Sequence, residues 1–134
     1  MFSHMIVGVT DFDRALAFYR PLMSLLGIAE RFVDRERPWA GWQLPGQARP
    51  LFLVGAPFDG EHDAGNGQMT AFLAANRATV DAAHALALAG GGTDDGAPGL
   101  RPQYHADYYG AYFCDPDGNK LCVACHEAPA TAPP

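Results

Sequence analysis

The run "YYGAYFCDPDGNKLCVACH" (residues 108–126) admits two readings, and the choice between them decides the fold. Its end, "CVACH" (122–126), matches the C-x-x-C-H pattern of c-type haem attachment. Its middle, "DPDGN" (115–119), is a strong turn signal between two apolar runs, "YYGAYFC" (108–114) and "KLCVAC" (120–125), which read as paired strands. Side chains alternate across a strand, so Lys120, Cys122, Ala124 and His126 share one face, and Leu121, Val123 and Cys125 share the other. One strand cannot present Cys122 and Cys125 together to a single haem or metal ion. The cysteines therefore read as small hydrophobes of a buried strand. The expectation is no haem and no bond between these two sulfurs.

Working outward, "TDDGAPGLRP" (93–102) reads as loop, and "NRATVDAAHALALAGGG" (76–92) reads as a helix near 77–89, with Asn76 as N-cap and Gly90 to Gly92 as its stop. "QMTAFLAA" (68–75) reads as a strand, and "FDGEHDAGNG" (58–67) as a Gly- and Asp-rich surface linker with a solvated His62. Before the linker come three extended runs, 29–36, 39–44 and 51–57, punctuated by Pro38, Pro45, Gly46 and Pro50. Trp39 and Trp42 fall on opposite faces of theirs, so at most one enters a site on a given face. "HMIVGV" (4–9) reads as a strand. The helix that follows, near 12–22, has Thr10 and Asp13 at capping-box spacing, Pro21 to kink or end it, and Gly27 as a later stop. Shifted by 65 residues, the second half starts as the first does, with His4 on Met69, Asp11 on Asn76 and Tyr19 on His84. The chain thus divides into a first module over about 1–57, a linker, a second module over about 68–126, and a Pro/Ala-rich tail, 127–134, expected to be disordered.

Composition bounds the function. The chain has 134 residues, 49% of them hydrophobic and 18% charged, enough to bury a core. With 9 Lys and Arg against 15 Asp and Glu, the net charge is -6, and there is no basic run to meet nucleic acid or an anionic membrane. No apolar run is long enough to span a bilayer. Three cysteines, an odd and low count, and no basic or apolar signal at the N-terminus lead to the expectation of a cytoplasmic protein with reduced thiols. "AGGGT" (89–93) follows a helix rather than a strand, so it does not form a nucleotide-binding loop.

Two β-α-β-β-β modules in this length, opening on "HMIVGVTDFDRALAFY" (4–19) and closing on "GAPGLRPQYHADYYGAYFCDPDGNKL" (96–121), resemble the vicinal oxygen chelate superfamily, the glyoxalase, bleomycin-resistance and extradiol-dioxygenase group. The resemblance covers about Phe2 to His126. It implies an α+β fold in which curled mixed sheets form a cup around a small-molecule site, and often a homodimer. It also implies metal-ligand positions. Here these are His4 in the first strand, Met69 where the second module has a His, and Cys122 where the last strand has a Glu. Only His4 keeps its type. Thioether and thiol are softer than the imidazole and carboxylate that suit zinc, nickel, manganese or iron.

The reading that follows is a protein that binds a small organic molecule in the cup, with no tightly bound catalytic metal. Its pocket residues are His4, Met69, Cys122, Tyr108, Tyr112 and Arg101, and His105 is the candidate proton-transfer group. A metal-dependent lyase, isomerase or dioxygenase that uses His4, Met69 and Cys122 as a remodelled ligand set is the second reading. A structural dimer without ligand is the third.

Overall fold

The computed structural model describes residues 1–130; the last four positions of the expected tail lie outside the described residues, and 127–130 form neither helix nor strand. The chain runs β1 (His4–Gly8), α1 (Phe12–Leu25), β2 (Ala29–Asp34), β3 (Trp39–Gln43), β4 (Leu51–Gly55), β5 (Thr70–Leu73), α2 (Arg77–Ala89), β6 (Thr93–Leu100), β7 (Tyr109–Cys114) and β8 (Lys120–Cys125). Two four-stranded sheets result, ordered β1-β4-β3-β2 and β5-β8-β7-β6. Each is mixed, because its first strand pairs parallel with its last while the other pairings are antiparallel. The α+β fold expected from the sequence is present, with the same strand order in both halves.

One core joins the halves. Trp42, Phe52 and Val54 of the first sheet, Phe72, Phe113, Leu121 and Val123 of the second, and Leu16, Phe18, Tyr19, Leu22, Val80 and Ala83 of the helices form one buried cluster. Phe52 and Phe72 meet edge to face, their centroids 5.0 Å apart, so the two sheets touch directly. Cys125 belongs to this cluster and Cys122 does not, so the two sulfurs sit on opposite faces of β8, and all three cysteines are free. Trp42 is in the core while Trp39 lies on the other face. Each sheet therefore has an inner face in the shared core and an outer face turned away from it.

Three expectations need correction. Thr10 does not cap α1; Asp11 does, accepting from the Arg14 N–H at 3.1 Å, while Thr10 bonds Asp117 across the molecule. Pro21 does not end α1, which continues to Leu25. Ala17 and Pro21 are both exposed, so the carbonyl that loses its intrahelical donor faces water. Residues 93–100 are not loop but β6, paired with β7 through register shifts beside Gly96, whose φ of 153° only glycine adopts readily. The Asp, Gly and Pro of this edge strand carry a turn-like composition, and its partner holds it in place.

Candidate functional site

The outer face of the second sheet holds a connected set of polar aromatics. Tyr112 pairs with Cys122 in register, so both project on this side. The chain between β6 and β7 folds back in tight turns, with Arg101 N–H donating to the Tyr108 carbonyl at 2.9 Å and Tyr104 N–H to the Arg101 carbonyl at 3.0 Å. This lays Tyr108 over β7 and β8. A Cβ at Gly110 would fall 2.8 Å from the Tyr108 ring, so glycine is needed there for the ring to lie flat. The Tyr108 hydroxyl is 2.9 Å from that of Tyr112 and 3.6 Å from the Cys122 sulfur. His105 Nε2 is 2.8 Å from His126 Nδ1, and the Tyr108 ring stands edge-on to His126. Arg101 and Lys120 each lie over the Tyr112 ring, at 5.5 and 5.6 Å.

Arg101, His105, Tyr108, Tyr112 and Cys122 thus come together as named from the sequence. His126 joins them, and no role was assigned to it. The strand alternation that places it on the face of Cys122 was the signal available.

Within the set, Tyr108, Tyr112 and Cys122 are uncharged at neutral pH. Burial pushes the Cys122 thiol up, and the hydroxyls of Tyr108 and Tyr112 offset this only in part. Burial likewise raises Tyr112 and, with the Tyr112 hydrogen bond, raises Tyr108 strongly. In the unfolded chain the thiol ionises near its ordinary value of 9.0, whereas in the folded chain it holds its proton to higher pH. The stability gained is present in full below that value and is lost as pH rises through the folded pKa. The melting temperature of the wild type should therefore fall more steeply above about pH 9 than that of Cys122→Ala. Parallel pH profiles for the two would contradict the assignment.

The other expected residues lie elsewhere. His4, at the exposed start of β1, takes Ser3 Oγ as partner at 2.9 Å and lines a cavity of about 460 Å³ on the first sheet, with Arg31, Phe32, Trp39, Arg49 and Leu53. Met69 precedes β5, is 46% exposed, and lines a different cavity of about 660 Å³ together with His62 and Lys120. His62, expected to be solvated, instead folds over Gly8, where a Cβ would meet its ring at 2.9 Å, and its Nε2 is buried without a partner.

Within one chain, His4 and Met69 line separate cavities and Cys122 lies beneath Tyr108. Among the described residues, no three His, Cys, Asp or Glu side chains gather at one point. An exposed imidazole, a thioether and a buried thiol held protonated do not fit the nitrogen and carboxylate donors that the family's divalent metals require.

Comparison with known proteins agrees with the fold. The family model of the Glyoxalase/Bleomycin resistance protein/Dioxygenase superfamily matches residues 1–123. A glyoxalase/bleomycin resistance protein from Albidiferax ferrireducens T118 is 35% identical, with a TM-score of 0.81 over 93% of this chain and 98% of that one. A family enzyme from Burkholderia phytofirmans PsJN is 21% identical, with a TM-score of 0.69 over 93% and 98%. A lactoylglutathione lyase from Agrobacterium tumefaciens is 20% identical, with a TM-score of 0.63 over 93% and 92%. A comparison with curated proteins finds no match. A family match over nearly the whole chain, on the fold and strand order described above, places this protein in the Glyoxalase/Bleomycin resistance protein/Dioxygenase superfamily.

Proposed function

We propose that this protein binds a small organic molecule in a cup built on the outer faces of its sheets, without a tightly bound catalytic metal, and that it works as a cytoplasmic homodimer. The observation that carries the reading is the Tyr108–Tyr112–Cys122 cluster, which stands where the resemblance puts a metal-binding carboxylate. A neutral wall of rings with hydroxyl tips can bury the apolar body of a ligand and meet its polar edge. Leu73 and Tyr104, 73% and 63% exposed, support pairing with a second copy, because such side chains gain by being covered. The His105–His126 pair favours a second reading, an enzyme in which His105 exchanges a proton with the bound molecule and His126 holds its ring.

The test is a thermal-shift screen followed by calorimetry of a compound that binds. Tyr108→Ala should weaken binding by about 1–3 kcal/mol, and Cys122→Ser much less. If no compound binds, or if Tyr108→Ala leaves affinity unchanged, the reading fails in favour of a structural dimer.

A further inference from the structure

The arginines divide by location, while Lys120, on the outer face of the second sheet, is paired with Asp95. Arg14, Arg20, Arg35 and Arg77 each have a carboxylate partner, Asp117, Glu30, Asp13 and Asp107 respectively. Arg31, Arg37, Arg49 and Arg101 have none among the described residues, and each lies on or beside an outer sheet face. In a chain of net charge -6, with acids to spare, four arginines without carboxylates gathered on these faces leave positive charge there unneutralised. The first sheet concentrates it most. Arg31 and Arg49 rim the His4 cavity, whose floor is Phe32, Trp39 and Leu53. Arg31 spends one N–H on the Gln43 side chain at 3.0 Å, and its remaining donors are uncommitted. His4 uses Nδ1 on Ser3, which leaves Nε2. Phe32 and Trp39 meet at 4.8 Å, and Arg37 lies 3.7 Å over the Trp39 ring. Gly41 gives the floor its depth, since a Cβ there would strike Phe32 and Leu53 within 2.7 Å.

We propose that the ligand is an organic oxyanion, a carboxylate or phosphate on a planar apolar body. The body lies on Phe32, Trp39 and Leu53, and the oxyanion takes charge-assisted hydrogen bonds from Arg31 and Arg49, with His4 beside them. This inference rests on the reading that the outer faces hold a small molecule, and it names the class of that molecule.

Calorimetry with 2-naphthoate, 2-naphthyl phosphate and the neutral 2-naphthamide tests it on the wild type, Arg31→Gln, Arg49→Gln and the double variant. Both arginines are exposed, so the substitutions should leave the fold intact, which the melting temperature checks. At least one acid should bind, and the tighter of the two assigns the oxyanion. The amide should bind about tenfold more weakly than that acid or worse, and each Arg→Gln should cost the acid about tenfold while leaving the amide unchanged. Amide and acid binding alike, or acid affinity surviving in the double variant, would overturn the ligand class and leave the pocket reading standing. Failure of both acids to bind would overturn the class too. The pocket reading itself falls on its own test, if the unbiased screen yields no compound or the Tyr108 variant leaves affinity unchanged.

Discussion

Asp115→Ala is expected to lower the unfolding free energy by about 3–5 kcal/mol, the scale for leaving buried donors without their charged partner. Asp115 is 2% exposed and accepts four hydrogen bonds. Oδ1 takes the Asp117 and Asn119 N–H groups, each at 2.9 Å, and Oδ2 takes the Tyr19 hydroxyl at 2.6 Å and the Asn119 side chain at 2.8 Å. The same Asn119 amide reaches the Gly8 carbonyl at 2.8 Å. One carboxylate therefore shapes the turn before β8, ties it to α1 and, through Asn119, to the end of β1. Tyr19→Phe removes a single donor and should cost less, about 1–2 kcal/mol. Urea denaturation of the two variants decides the matter. A loss near 1 kcal/mol or below for Asp115→Ala would show that the turn holds without its centre.

The second large effect concerns Cys122. Restoring the family's acid by Cys122→Glu should destabilise the protein by about 2–4 kcal/mol. The position is fully buried beneath the Tyr108 hydroxyl, and the added atoms and the charge have no space or solvent to meet. Arg101 and Lys120 are nearby but lie over the Tyr112 ring. A variant as stable as the wild type in the same denaturation assay would mean that the wall yields readily and that the thiol is not built into it.

Much of this was legible in the residues. The 65-residue repeat reappears in the N-caps Asp11 and Asn76, because both helices start by the same side-chain device. Alternation along 120–126 assigned Cys122 and Cys125 to opposite faces correctly, since period two follows from strand geometry alone. What failed depended on partners. β6 has loop-like residues and is a strand only because β7 lies beside it. Thr10 is drawn away from the helix it precedes by Asp117, more than one hundred residues later. Tyr108 and His105 were named from a cluster of polar aromatics, and Cys122 from the position of the family's acid, but the contacts of Tyr108 and His105 with His126 depend on how the 101–108 turns fold back. No local pattern carries that information.

The most direct test of the account is elemental analysis of the wild-type protein purified without added metal and without chelator. The donor chemistry of His4, Met69 and Cys122 predicts well under one equivalent of zinc, nickel, manganese or iron per chain. One equivalent of any of them, retained through dialysis, would contradict the metal-independent pocket and make the remodelled ligand set the working description.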